Sequence, residues 1–218
     1  DRSGFMTTQV WENVQSVGLR SIFLTRQGIL DAGSGRHFVK PSKKHSQYFI
    51  RAANVLLYSA EVGFIAFSLL KWLPLGTRQI LTDTASINSV AYALSEMRRS
   101  IATAEPVATV NSFGSYDGLD GFRAEGEVDT VCLVSASTSG DLEQQLAQRF
   151  RLPVDRVITL FFCGPSRPAK SRVLSDVTER VPGDGGRPAI PSYSEEGCPL
   201  CASGSTRVRI SGDQFLPS

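Results

Sequence analysis

Residues 130–146 read TVCLVSASTSGDLEQQL: an apolar run, a turn of small residues, then a polar segment with helical spacing. Asp129–Val134 predicts a buried strand, because apolar and β-branched residues follow one another without a polar break. Asp141–Phe150 predicts a helix with Leu142, Leu146 and Phe150 along one side. The turn between them, Ala136–Asp141, would lie at the carboxyl end of a strand and the amino end of a helix, where backbone N–H groups can meet an anion. Ser137, Thr138 and Ser139 add hydroxyls, and Gly140 lets a ligand approach the backbone. An ordinary strand-to-helix turn capped by Ser or Thr has the same spacing, so both readings stand at this point. The turn has neither the lysine of a triphosphatase loop nor the spaced glycines of a dinucleotide fold.

Working outward, Arg78–Thr82, Pro106–Asn111 and Arg156–Phe162 are further strand candidates. Ser86 is placed to cap a helix whose apolar positions Ile87, Val90, Ala91, Leu94 and Met97 keep a helical period. Arg98 and Arg99 fall in its last turn, where they complement the helix dipole. Upstream, Thr8–Val17 and Leu19–Leu30 read as helical, and Asp31–Arg51 as a glycine-rich basic stretch leading into an alternating aromatic strand. Ser59 could cap a helix over Ala60–Leu73, with Glu61 in its first turn and Pro74 and Gly76 as its stop. Strands separated by helices imply an α/β domain with a parallel sheet covered on both faces. After Cys163 the texture changes to a loop, a helix over Ser171–Val181, a flexible stretch over 182–197, a cysteine knuckle and a short strand, Arg207–Ile210. The expected organisation is an extension over 1–35, the α/β domain over 36–165 and an appended tail over 166–218.

Among 218 residues, 41% are hydrophobic and 20% charged, which excludes wholesale disorder. The net charge of +2 does not indicate nucleic acid. The longest apolar run, Phe64–Leu73, is broken by Ser68 and Lys71 and is too short to span a bilayer, so no membrane association is expected. No secretory signal opens the chain, although its start at Asp1 leaves a preceding segment open. Cys132, Cys163, Cys198 and Cys201 do not form a disulfide framework, which favours a reducing, cytoplasmic setting. Cys198 and Cys201 make a C-x2-C pair, half of a zinc site; a free thiol pair or a tight turn is the alternative.

The pattern resembles the type I phosphoribosyltransferase fold and, within it, the orotate phosphoribosyltransferase branch. FVKPSKKHSQYFIRAANVLL resembles that branch's amino-terminal segment, and ILTDTASINSVAYAL the strand, loop and helix that meet pyrophosphate. VCLVSASTSGDLEQQL is similar to the family's diphosphate-sugar motif. The resemblance covers roughly residues 35–165. It implies that Ser137, Thr138, Ser139 and Gly140 hold a 5′-phosphate, and that Asp83, Thr84, Ala85 and Ser86 line the pyrophosphate side. It further implies a base side made by His45, Tyr48 and Phe49, Mg with a diphosphate ligand where the enzyme is active, and dimers sharing a site. Core packing for the aromatics and a surface position for His45 are the structural alternatives.

The chain departs from the motif where the family's paired acids bind ribose: Ser135 and Ala136 stand there. The segment Ser112–Glu127, matching the family's mobile hood in position, holds only Arg123 against Asp117, Asp120, Glu125 and Glu127. The expectation is therefore a divergent member that binds a phosphorylated ribose compound, a nucleotide or phosphoribosyl diphosphate, as a sensor or regulatory subunit with impaired transferase chemistry. An active transferase or nucleotide-cleaving enzyme with relocated acids is the alternative, with Asp83, Asp117 or Asp141 as catalytic candidates. A further alternative is a scaffold or interaction subunit of a larger bacterial complex, including a defence-related one. A homo-oligomer or a place in a protein complex is expected in each case.

Overall fold

A computed structural model describes residues 8–122, 129–167, 171–179, 186–211 and 214–217. The chain opens with helix α1 (Thr8–Thr25) and four short strands, β1 (Ile29–Asp31), β2 (Arg36–Val39), β3 (His45–Ser46) and β4 (Tyr48–Ile50). Helix α2 (Ser59–Leu69) leads to β5 (Gln79–Thr82), α3 (Asn88–Ile101), β6 (Thr109–Ser112) and the short α4 (Ser115–Leu119). Then come β7 (Thr130–Ser137), α5 (Asp141–Arg149), β8 (Val157–Phe162) and β9 (Arg172–Asp176). The tail holds α6 (Pro199–Ala202), β10 (Thr206–Ser211) and β11 (Gln214–Pro217).

Five parallel strands form the main sheet in the order β6-β5-β7-β8-β9. All six residues of β8, VITLFF, are buried, as a central strand covered on both faces requires. Side-chain alternation divides the core in two. Ile80, Val131, Leu133 and Ile158 pack with Leu19 and Phe23 of α1, Ile65 and Leu69 of α2, and Val90 and Leu94 of α3. Leu81, Cys132, Val134 and Val157 face the other way, onto Leu142 and Leu146 of α5. Each such buried aliphatic side chain contributes about 1.5–3 kcal/mol. Cys132 is one of them, a small apolar filler whose thiol pKa is pushed up by burial.

Beside this layer, β1 pairs antiparallel with β4. A second sheet runs β11-β10-β2-β3, with β10 parallel to β2 and antiparallel to β11. The tail is thus hydrogen-bonded to the segment that opens the α/β region. Among the described residues no helix is long and apolar enough to cross a membrane.

The α/β class with a parallel sheet and a cysteine pair in the tail is as expected, but several elements differ. The helix predicted over Ser171–Val181 is strand β9 over its first half, and positions 180 and 181 lie outside the described residues. Val173 and Ser175 turn inward in alternation, and the open hydrogen-bonding edge of β8 favours extension there. Helix α2 ends at Leu69 and tightens into a 3-10 turn over Leu70–Trp72 before Pro74. Its cap is Tyr58, not Ser59, and no side chain supplies the capping bond. Ser86 lies inside a 3-10 turn, Ala85–Ile87, that precedes α3. The two stretches expected upstream merge into one helix, α1, which stops at Thr25, so that Ile29 and Leu30 belong to β1; the strand expected at Pro106–Asn111 begins at Thr109. The segment Ser112–Glu127 holds α4; Arg123, Glu125, Glu127 and the side chain of Asp117 lie outside the described residues.

Candidate functional site

The sheet reverses direction at β5. From β5 the chain passes to β6 on one side, then crosses to β7 on the other, and diverging connections leave a crevice at the carboxyl ends of β5 and β7. A cleft of about 120 Å³ lies there, walled by Lys40, Asp83, Thr84, Tyr116 and residues 135–139. It shares Pro41, Ser42 and Tyr116 with a wider, more open recess of about 500 Å³ beside Lys43 and Asp141. On its other side it shares Phe49, Ile50, Thr84 and Ser135 with a recess of about 40 Å³ that reaches Ser86 and Phe215. A mostly apolar cavity of about 430 Å³ lies elsewhere, between the end of α1, β1, β4 and residues 187–191. It lies apart from the switch point, whereas convergent charged and hydroxyl groups mark the smaller cleft.

The turn after β7 is held from beneath. Ser137 Oγ accepts from the Gly140 N–H at 2.9 Å and donates to Glu143 at 3.2 Å, so this hydroxyl is engaged within the turn. Glu143 is buried and also accepts from Thr159 Oγ1 at 2.5 Å. Gly140 caps α5 in the left-handed region, φ 80°, which glycine adopts without strain. Gly164 lies against the back of the turn: a Cβ there would be 2.1 Å from the Thr138 carbonyl oxygen. The hydroxyls of Thr138 and Ser139 and the start of α5 are what the turn presents to the cleft.

Opposite stands the β2–β3 turn, KPSKK, with Lys43 in the left-handed region at φ 59°. Lys40 Nζ donates to Ser192 Oγ at 2.8 Å and to Thr138 Oγ1 at 3.4 Å. Burial, helped by the charge of Lys44, lowers the Lys40 pKa to about 8. Lys44 is bonded to Asp141 at 2.7 Å, and this contact holds the Asp141 carboxyl below its usual range. Lys40 makes no comparable ion pair among the described residues: its hydrogen bonds go to neutral hydroxyls.

One carboxylate reaches the cleft wall from β5. Asp83 is 4% exposed and accepts from the Ser135 N–H at 2.9 Å and from Ser135 Oγ at 2.7 Å. Burial raises its pKa to about 7, against the opposing effect of the Ser135 bonds. Tyr116 is likewise pushed up by burial, then by the nearby Asp141, Glu143 and Asp83 charges.

The base-side candidates separate. Phe49 lines the cleft, Tyr48 lines the apolar cavity, and His45 turns away into a buried cluster. Thr84 lines the cleft and bonds to Ser86 Oγ at 2.8 Å, Ser86 lines the small recess, and Ala85 is exposed at the start of its 3-10 turn. The cluster joins His37 of β2, His45 of β3, and Cys198 and Cys201 at the ends of α6's first turn, with one ligand atom from each within 4.8 Å of the others. These four side chains could hold a metal ion. Two of them were not placed with the cysteines from the sequence, since both histidines lie more than 150 positions upstream of Cys198. Lys40 and Gly164 were also missed; only tertiary contact connects them to the turn.

No protein-family model matches the chain, and no curated protein matches it in sequence. Among solved structures, it is similar to the UMP synthase of Leishmania donovani at 14% identity and a TM-score of 0.45. That match covers 67% of this chain but only 31% of the synthase. It is also similar to an orotate phosphoribosyltransferase of Francisella tularensis, at 16% identity and a TM-score of 0.37, covering 73% of this chain and 84% of that one. The second bears the name of the family whose motifs the sequence resembles; what the cleft can hold rests on its own side chains.

Proposed function

We propose that the chain binds a phosphorylated ribose compound, a nucleotide or phosphoribosyl diphosphate, at the mouth of β5 and β7, and serves as a sensor or regulatory subunit with impaired transferase chemistry. The observation that carries this is Lys40. It is a largely desolvated ammonium bonded only to hydroxyls, facing a Thr-Ser-Gly turn at the start of α5. A cation so placed lacks a counter-charge that a phosphate would supply, and the helix start favours the same sign of ligand. Ser139 and Thr138 would add hydroxyl donors, and Lys43 beside the wider recess raises the local potential.

Impaired transfer follows from Ser135 and Ala136. Neither supplies the negative charge that would stabilise an oxocarbenium-like sugar, an electrostatic effect of about 3–4 kcal/mol for a single well-placed group. Ser135 is spent on Asp83. Isothermal titration with phosphoribosyl diphosphate, nucleoside monophosphates and inorganic phosphate tests the reading; folded protein that binds none of them refutes it.

A second reading, favoured by Asp83 alone, keeps catalysis. A carboxyl with a pKa near 7 at the cleft wall is suited to proton transfer, in a transferase or a nucleotide-cleaving enzyme, with Mg arriving on a diphosphate ligand. Pyrophosphate or free base released by the wild type and lost in Asp83→Asn would favour it. In either reading we expect self-association or a subunit partner. Val14, Val17 and Phe67 are exposed on the outer face of α1 and α2, an apolar surface suited to being covered. Light scattering of the purified chain reads the mass directly.

A further inference from the structure

We propose that this chain binds one Zn²⁺ through His37 Nε2, His45 Nδ1, Cys198 Sγ and Cys201 Sγ, in a closed tetrahedral site that staples the C-terminal tail to the β2–β3 hairpin. The distances fit. Zinc bonds of roughly 2.3 Å to sulfur and 2.0 Å to nitrogen put tetrahedral ligand atoms roughly 3.3–3.8 Å apart. Here His37 Nε2 lies 3.1 Å from His45 Nδ1 and 3.4 Å from Cys201 Sγ, and His45 Nδ1 lies 3.2 Å from Cys201 Sγ. Tightly grouped imidazole nitrogens and thiol sulfurs have little reason to converge unless a cation takes the middle.

The surroundings match a metal site as well. His37 Nδ1 lies 3.0 Å from Ser205 Oγ; donating there leaves Nε2 as the lone-pair nitrogen facing the cluster. The Cys201 N–H donates to Cys198 Sγ at 3.5 Å, which turns that sulfur toward the first turn of α6. Two sulfurs and two nitrogens in tetrahedral array select zinc over harder cations. His37, His45 and Cys198 are 0%, 1% and 4% exposed, and four protein ligands leave no open position, so the role is structural.

The ligands come from strands β2 and β3 and from α6, so the ion would join sites far apart in the chain. Directly after α6, β10 runs parallel to β2, pairing Thr206 with Arg36 through Arg209 with Val39. The hairpin β10–β11 then sets Phe215 against Phe38 and Phe49 at ring distances of 5.9 and 6.0 Å. The lysine turn lies between the two histidine ligands. The proposal does not rest on any ligand in the cleft.

Elemental analysis of the full chain, expressed with added zinc, tests it. About one zinc per chain is expected, exchangeable for cobalt with the d–d spectrum of a tetrahedral ion and thiolate charge-transfer bands. Cys198 and Cys201 should resist iodoacetamide until a chelator removes the ion, after which trypsin should cut the tail near Arg207 and Arg209. Cys201→Ser and His37→Gln should each lower zinc content several-fold. Zinc-free folded protein whose two thiols alkylate readily, or are joined as a disulfide, overturns the proposal; so does full zinc content in Cys198→Ser combined with Cys201→Ser. Where a variant does not fold, the wild-type cobalt spectrum and alkylation pattern decide.

Discussion

Replacing Lys40 with methionine separates what the lysine contributes to the fold from what it contributes to a ligand. Methionine preserves the unbranched stem and removes the charge. A charge-assisted hydrogen bond to a phosphate contributes about 1.5–3 kcal/mol, so Lys40→Met should weaken phosphoribosyl ligands by about 10- to 150-fold. The free protein should respond in the opposite direction. A lysine pKa lowered from 10.5 to about 8 corresponds to a folding cost of about 3 kcal/mol at neutral pH, as an upper bound that hydrogen bonds to Thr138 and Ser192 already temper. The sign follows from proton counting: between about 8 and 10.5 the unfolded chain binds more protons than the folded one, so stability rises with pH across that window. Below it the wild type carries the full cost, and Lys40→Met should be as stable or more stable. Above it the two should converge. Because a bound anion would raise the lysine pKa again, wild-type affinity should fall as pH passes about 8, and the variant's should not. Urea unfolding across pH and calorimetric titration at pH 7 and 9 measure both arms. Unchanged affinity for every phosphate ligand that the wild type binds, or a severe loss of stability at neutral pH, would refute the account of Lys40 as a cation waiting for an anion.

Asp83 has the opposite linkage: its folded pKa, about 7, lies above the ordinary 3.8, so its contribution is lost as pH rises from 4 through 7. Asp83→Asn should flatten that part of a stability-versus-pH curve, while Ser135→Ala should steepen it by removing one donor, at a cost of about 1–3 kcal/mol above pH 7. Gly164→Ala should cost at least the ~1–3 kcal/mol of an overpacked core, because the added Cβ meets the Thr138 carbonyl and the Phe162 ring rather than a flexible chain end. Its denaturant midpoint and its phosphate affinity should fall together. Leu133→Ala, deep between the sheet and α1–α3, should cost about 2–5 kcal/mol in the same assay without altering the affinity of the protein that remains folded.

The parts of the architecture readable in advance were those set by local pattern. The run VCLV and the largely apolar VITLFF are short and β-branched enough to read as strands covered on both sides, and the turn 137–140 follows from where one ends and a helix of period 3.6 begins. The strand β9 was not readable, because RVLSD becomes extended only when the edge of β8 is there to pair with it. The same holds for the groups that give the cleft its character. Lys40 meets Thr138 across 98 positions, and the histidines meet the cysteines only because β10 lies parallel to β2. Such contacts carry no sequence period, and a lysine in a basic turn reads as solvated until the fold buries it.

Asp83 and Ser135 together decide how the corner behaves. On β7, where the resemblance implies an acid, a serine stands; directly after the neighbouring β5 an acid stands and takes both of that serine's donors. Asp83 is buried, burial raises its pKa to about 7, and each of its oxygens already accepts from Ser135, so it offers a sugar less than a fixed, unengaged negative charge. For Asp83 to act on a ribose, Ser135 would have to release it, exposing a carboxylate whose desolvation the two hydrogen bonds now offset. A phosphate on the far side of the turn needs no such release, because Lys40, Thr138 and the start of α5 already face it. On the proposed reading, a phosphate therefore needs no rearrangement of this corner, whereas catalysis through Asp83 would first have to open it.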